Sequence, residues 1–372
     1  MNQEIIYIIS AIFVVSWIFQ AVHYLYVLGA FNRYKNAEVS GKLPPLSVVI
    51  CAKNEAANLK KFLPGILEQD YPEFQVVVVN DTSTDETELV LAEMKNNYNN
   101  LYYTFIPVDK KFFHGKKLAL TLGIKAAKYD HLVLTDADCY PASKEWLRHM
   151  AGTFTDTKKI VLGYGGYEKH KGLLNLMVRF ETFWNAVQYF GFALTVRPFM
   201  GVGRNIAYEK QLFTDSSQFR NNLSVASGDD DLFIIEAGTK QNTTICSIPE
   251  SHTLSIPPKT LQELRIQKSR HLTSSVHYPF SIKLWLFFEF LTRQLFWLLT
   301  VCSIIFSIFA PIAGVLFAVL IIIKLTVLSK AGNKLRQGKL FWALLLFDWL
   351  IPIWIGILWI SNLLRPKRIK WK

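Results

Sequence analysis

Three apolar runs in the chain each end in carboxylates. Cys51-Ala-Lys-Asn-Glu55 closes the first, Asn80-Asp81-Thr-Ser-Thr-Asp85 the second and Thr135-Asp136-Ala-Asp138 a later one. Asp136 and Asp138 flank a single residue, and side chains two apart in extended chain point the same way, so both can offer oxygen to one hard cation. A solvated turn is the bland alternative for this pair, and helix capping for any one acidic run end. Three such ends together favour a ligand site. A fourth acidic group, Asp229, Asp230 and Asp231, follows Gly228. Like charges this close repel if buried, so the group marks either a site or a solvated loop. Gln267, Arg270 and His271 follow Pro257-Pro258 and fall three and four apart, on one face of a helix. His252 reads as a loop histidine rather than a further metal ligand.

The elements that would position these groups alternate. Residues 46–52 and 74–79 are continuous apolar runs, as expected of strands buried on both faces of a parallel sheet. Leu59, Phe62, Leu63, Ile66 and Leu67 have helical spacing between them. Ser83 and Thr84 before Asp85 and Glu86 signal a helix start. Residues 101–106 read as a strand, 116–127 as a helix and 131–135 as a strand, with Pro141 opening the next helix. The pattern predicts an α/β domain with a mainly parallel sheet, in which ligands bind beyond the carboxyl ends of the strands. No GxGxxG and no GxxxxGK[ST] follows the first strand, which disfavours a dinucleotide dehydrogenase and a P-loop NTPase.

The 372 residues are 51% hydrophobic with a formal charge of +12, and the mean hydropathy of +0.21 is high for a soluble protein. Residues 5–28 carry no charge and would make a helix of about 36 Å, enough to cross a ~30 Å hydrocarbon core. Glu4 before them and Arg33 and Lys35 after them favour an uncleaved anchor with the following chain in the cytoplasm. Residues 294–323 are uncharged over about 45 Å of helix, too long for one comfortable crossing. Pro311 and Gly314 suggest a hairpin of two spans turning near 310–314, with Glu289 and Arg293 paired near its cytoplasmic end. Residues 340–364 have basic clusters on both flanks, so a crossing competes with a re-entrant or interfacial course that keeps both clusters inside. The aromatic-rich segment 172–198 reads as an interfacial helix on the bilayer beside the site, with a core helix as the alternative. The positive charge reads as membrane adhesion, not nucleic-acid binding. Four scattered cysteines without a CxxC give no zinc signature and fit a reducing compartment.

Taken in order, Ser47 to Glu55, Asn80 to Asp85, His114-Gly-Lys-Lys117, Thr135 to Asp138, Gly201-Val-Gly-Arg-Asn205, Gly228-Asp-Asp-Asp-Leu232 and Gln267-Lys-Ser-Arg-His271 resemble the family 2 glycosyltransferases of GT-A fold. The resemblance covers roughly residues 46–271. It implies a GT-A (Rossmann-like) nucleotide-sugar-binding domain of mainly parallel sheet, with N- and C-terminal transmembrane helices. The organisation expected is an anchor over 1–30, a cytoplasmic domain over 31–283 and a C-terminal membrane region over 284–372 with two or three hydrophobic segments and a basic tail.

The resemblance also implies roles. Ala52, Asn54, Glu55 and Asp81 would form the nucleotide pocket, with Asp81 reading the base, and Lys116 and Asp136 would hold the donor. Asp138, with Asp136, would bind Mg2+ or Mn2+ on the diphosphate. Asp229 would be the catalytic base, with Asp230 in reserve because Gly228 stands where the family has Glu. Gln267 and Arg270 match a QxxRW motif with His271 in place of Trp, and Gly203, Asn205 and His271 would face the acceptor. The activity implied is inverting transfer from a UDP-sugar to a lipid, lipid-linked or polysaccharide acceptor, at a cell membrane, the bacterial inner membrane, crossed several times. A processive polysaccharide synthase and a non-catalytic membrane scaffold are the alternatives.

Overall fold

The computed structural model describes residues 3–36, 43–107, 115–216, 228–306 and 310–364, with only the backbone of Asp229 and Leu363. His114, part of the linker before Pro44 and the basic tail 365–372 lie outside the described residues.

The apolar runs form the strands expected. β1 (Leu46–Ala52), β2 (Phe74–Asp81), β3 (Leu101–Ile106) and β4 (His131–Asp136) lie parallel in the order β3-β2-β1-β4. β8 (Ile206–Glu209), β6 (Ile160–Gly163) and β9 (Thr243–Cys246) extend this sheet to seven strands, β8 running antiparallel to both neighbours. A second sheet of β5 (Cys139–Pro141), β10 (Thr253–Ser255) and β7 (Gly165–Tyr167) stands beside it. All seven residues of β1 are buried, because alternate side chains enter two different cores. Val49 and Cys51 join Val77 and Val79 on one face, while Val48 and Ile50 join Val76 and Val78 on the other. Pro141 does not open a helix. It ends β5 opposite Thr253 of β10, and the next helix starts at Trp146. The missing Pro N–H costs nothing at a strand end.

The helices are α1 (Gln3–Arg33, through a π turn over His23–Leu28), α2 (Ala56–Leu67), α3 (Thr87–Asn97), α4 (Lys116–Ala126), α5 (Trp146–Ala151), α6 (Leu173–Thr195), α7 (Lys210–Asp215) and α8 (Asp229–Ala237). They continue with α9 (Leu261–His271), α10 (Phe280–Ile305), α11 (Ala310–Lys334) and α12 (Leu344–Leu364). Four helical stretches among the described residues are long and apolar enough to cross a membrane: α1, α10, α11 and Gly338–Asn362.

Three expectations about these helices change. α10 ends at Ile305 and α11 is described from Ala310 onward, so Pro311 and Gly314 lie in the helix rather than at a turn over 310–314. Glu289 and Arg293 do pair, but near the middle of α10, because that helix begins at Phe280. The aromatic segment is a core helix rather than an interfacial one. Phe180, Phe183, Ala186, Val187, Tyr189, Phe190 and Phe192 of α6 are all buried, since a helix apolar on every side needs partners all round. Phe190 stacks on Phe31 of α1 at 5.3 Å, and α6 thereby ties the sheet domain to the apolar bundle.

The last helix is single, with Pro352 inside it, not a re-entrant hairpin. It runs along the sheet domain. Phe347 meets Phe180 at 5.8 Å, Trp354 packs with Leu174, Met177 and Leu264, and Asn362 donates to the Ser269 carbonyl at 3.1 Å. Pro352 leaves the Asp348 carbonyl without its helical donor, and Arg293 Nη1 lies 3.4 Å from that oxygen. The Asp348 carboxylate receives Lys324 at 2.7 Å and Trp297 Nε1 at 2.9 Å, and neither Lys324 nor Asp348 has an exposed side chain.

Candidate active site

The loops after β1 and β2 are stitched together. Ser83 accepts from the Asn54 N–H at 2.8 Å, Asn54 Oδ1 accepts from the Thr84 N–H at 2.8 Å, and Asp85 accepts from the Ala56 N–H at 3.0 Å. Ala52 is fully buried beneath them. Asp81 is wholly covered as well, with Lys53 Nζ at 3.6 Å from its carboxylate. It therefore presents no surface to a base in this arrangement; it holds Lys53, which does line the cavity described below. Glu55, also on that wall, accepts from Asn58 at 2.6 Å.

β4 delivers Asp136, and the turn after it delivers Asp138. Lys116, at the first turn of α4, reaches Asp136 Oδ1 at 2.7 Å. Burial opposes ionisation of Asp136, but the Lys116 ammonium, aided by Arg204 and Arg270, holds the carboxyl below its ordinary range. Asp136, Asp138 and Cys139 place one donor atom each within 4.8 Å of one another. The donor set suits a hard divalent cation through its two carboxylates, because burial pushes the Cys139 thiol well above its ordinary value and keeps it protonated. Asp136 is shared with Lys116, and Asp138 Oδ1 accepts from the Cys139 thiol at 3.4 Å.

Arg204, just before β8, was not singled out from the sequence. Its guanidinium lies over the Tyr167 ring at 4.5 Å and donates to Ser255 at 3.2 Å. Burial works against its charge, but Tyr167, Cys139, Asp136 and Asp138 outweigh it, so the group stays charged. The only sequence signal was its place inside the Gly201 to Asn205 motif. The next residue, Asn205, turns away from the cavity and is fully buried. Its amide donates to the Tyr164 and Ser251 carbonyls at 2.9 and 2.8 Å and accepts from Trp146 at 3.0 Å, which makes it a lock between layers rather than an acceptor contact. His252 is buried edge-on to Tyr164 at 4.9 Å, and burial lowers its pKa to about 4.

The acidic group opens α8. Asp230 accepts from the Gly203 N–H. A Cβ on Gly203 would stand 3.2 Å from both Asp230 oxygens and 3.2 Å from Lys116 Nζ, so this glycine lets the two side chains converge. Asp231 accepts from Ser274 at 2.7 Å and Tyr278 at 3.0 Å. Burial and then the Asp230 charge push its pKa up to about 7. Gly228 has φ +84° and lies against Ser274, where a Cβ would come within 2.4 Å. A Glu at this position, as in the family pattern, fits neither the backbone nor the space. The side chain of Asp229 lies outside the described residues. Gln267 donates to the Tyr167 hydroxyl at 2.8 Å, and Arg270 and the exposed His271 complete this wall.

One cavity of about 1440 Å³ joins these groups. Lys53, Lys116, Asp136, Asp138, Arg204, Asp230, Gln267, Arg270 and His271 line one part of it. The other part runs between α6, α10 and α12, past Trp184, Phe287, Phe290, Ile355, Gly356 and Trp359.

Residues 47–210 match the model of the glycosyl transferase family 2. This stretch of the chain is similar to the family 2 glycosyltransferase domain, and the fold is GT-A-like α/β with a mostly parallel sheet. It is 29% identical over 169 residues to beta-monoglucosyldiacylglycerol synthase of Nostoc sp. (strain PCC 7120 / SAG 25.82 / UTEX 2576), covering 45% of this chain and 34% of that protein. It is 30% identical over 130 residues to poly-beta-1,6-N-acetyl-D-glucosamine synthase of Staphylococcus epidermidis, covering 33% of this chain and 29% of that protein. The matches thus span about a third of these relatives' lengths. Among solved structures, the mannosyltransferase PcManGT from Pyrobaculum calidifontis, in complex with GDP-Man and Mn2+, shares the fold. Its TM-score is 0.57 at 19% identity, over 97% of this chain and 99% of that one.

Proposed function

We propose that the chain is a membrane-embedded inverting glycosyltransferase that moves a sugar from a nucleotide-sugar, a UDP-sugar, to a lipid or lipid-linked acceptor. The observation that carries this reading is the single cavity, in which carboxylates and arginines at the strand ends open directly onto the apolar slot between α6, α10 and α12. A soluble acceptor has no use for that slot. The GT-A domain lies on the cytoplasmic side, with α1, α10 and α11 crossing the bilayer. α12 lies along the bilayer surface, a course supported by its contacts with the sheet domain from Phe347 to Asn362.

In this mechanism the donor diphosphate sits beyond β1 and β4. Lys116 fixes the orientation of Asp136, and Arg204 and Arg270 oppose the charge that grows on the leaving nucleotide. Asp138, with Asp136, would hold Mg2+ or Mn2+, which when bound supplies further neutralisation of the diphosphate. The acceptor hydroxyl approaches from the slot and gives its proton to the base. The motif pattern favoured Asp229 for this role, whereas the geometry supports Asp230, which lines the cavity beside Lys116. Asp231, tethered by Ser274 and Tyr278, anchors the helix that carries the base.

The test is to incubate the purified protein with Mn2+, labelled nucleotide-sugars and membrane lipids. Label should pass into the lipid phase, and nucleoside diphosphate should be released only with metal. Absence of both, together with no metal-dependent nucleotide binding, would establish the non-catalytic scaffold instead.

A further inference from the structure

The slot has a polar side. Thr182, Asn185 and Gln188 fall three residues apart on α6, and all three line the cavity. Side chains at this spacing are neighbours on one helix face, so the row runs for about 9 Å. On the α10 and α12 sides the same slot shows Phe287, Phe290, Ile355 and Trp359. Among the described residues, the Thr182 hydroxyl, Asn185 Oδ1 and both polar atoms of the Gln188 amide have no hydrogen-bond partner. Nor is any of them sealed off. The polar atoms that are both unpartnered and fully enclosed include Gln267 Oε1 but none from this row. The row is pinned at both ends. Asn185 Nδ2 donates to Glu181 at 2.6 Å, and Glu181 pairs with Lys268, which lies between Gln267 and Arg270 on α9. Beside Gln188, Tyr189 donates to the Gly163 carbonyl at the end of β6 at 2.8 Å. The row is therefore tied to the α9 wall of the site and to the sheet.

We infer that this row is an acceptor subsite, and that it takes an uncharged group with two or more hydroxyls, a sugar. Gln188 Oε1 and Asn185 Oδ1 each call for an O–H donor, Gln188 Nε2 calls for an acceptor, and the Thr182 hydroxyl can do either. Neighbouring hydroxyls of a sugar give and accept together and meet that demand. A diacylglycerol has one hydroxyl proton, and its ester oxygens only accept. An ionised phosphate also only accepts, and Lys268, the cation tied to the row, is already engaged by Glu181. Alkyl chains alone would leave the amides unmet, and apolar side chains like those on the α10 and α12 sides would suit them better. The inference rests on the proposed transfer to an acceptor that enters through the slot.

The experiment uses the full chain in nanodiscs, with Mn2+ and the donor nucleotide-sugar. The acceptors are dioleoylglycerol, its monohexosyl derivative, and a free disaccharide in solution. A sugar-bearing acceptor should be used about tenfold or more better than dioleoylglycerol, and whichever of the two is used shows whether the sugar arrives on a lipid or free. Thr182→Val combined with Gln188→Met should raise the KM for that acceptor about tenfold, while the KM for the donor stays the same. Gln188→Met alone should give a smaller rise of the same kind. Neither substitution removes a hydrogen bond made within the protein, so the melting temperature should not fall. Equal use of dioleoylglycerol, an unchanged acceptor KM in the double variant, a rise in donor KM alone, or a lower melting temperature would overturn the inference while leaving the transferase reading intact. Absence of nucleotide release with any donor would instead overturn the transferase reading itself.

Discussion

Gly203→Ala isolates the convergence on which the proposed chemistry depends. The new Cβ would lie 3.2 Å from both Asp230 oxygens and from Lys116 Nζ, inside the ordinary 3.4–4 Å contact range. Gly203 has no positive φ, so alanine meets no backbone strain there. Relief requires a few tenths of an ångström from one of two groups. Lys116 can yield only by loosening its 2.7 Å contact with Asp136, and Asp230 only by leaving the Gly203 N–H. A 1 Å misplacement of a reacting group costs about 10²-fold, so a shift of this smaller size should lower kcat roughly 3- to 10-fold. Global stability should fall by less than about 1 kcal/mol, as for a substitution without a buried defect. Steady-state kinetics and thermal unfolding on the same preparation provide the check. An unchanged kcat, or a loss of activity explained by unfolding, would refute the claim that Asp230 and Lys116 work at one point.

Gly228→Ala is the contrasting case. A positive φ and a 2.4 Å approach to Ser274 should cost about 2 kcal/mol or more in unfolding free energy, read by denaturant titration. Asp231 makes stability depend on pH. Its carboxyl titrates near 7 when folded against 3.8 as a free side chain, so the folded state holds the extra proton and stability should fall as pH rises from about 4 to about 7, by up to about 1.36 kcal/mol per unit. Asp231→Asn should flatten that slope in thermal unfolding at pH 5 and pH 8. Removing one partner of the buried Lys324–Asp348 pair, as in Lys324→Met, should cost about 3–5 kcal/mol, and the double variant Lys324→Met/Asp348→Leu should recover most of it.

Much of the sheet domain was legible because its pattern is local. Runs such as 46–52 announce a strand buried on both faces, and acidic residues at three strand ends pointed to the donor side of the cavity. The readings that changed depended on distant partners. Nothing near Asp348 announces Lys324, 24 residues earlier, or Arg293 across the bundle. The fate of α6 depended on whether protein or lipid covered its aromatic faces, and composition is the same for both. Asn205 sat in the right motif but faces Trp146, whereas its neighbour Arg204 faces the carboxylates. The tether from Asp231 to Ser274 and Tyr278 joins two segments more than forty residues apart, which no spacing rule could foresee.

Gly356 offers the most direct test of the claim that the acceptor enters through the slot. It lines the cavity on α12, and a Cβ there would meet only Phe290, at 3.9 Å. A phenylalanine at this position can fill the gap between α12 and α10 without straining the helix. The decisive measurement is the ratio of sugar transfer to lipid over nucleotide release to water in Gly356→Phe. The proposed function predicts that transfer collapses while release to water persists; lipid transfer at the unmodified rate would contradict it.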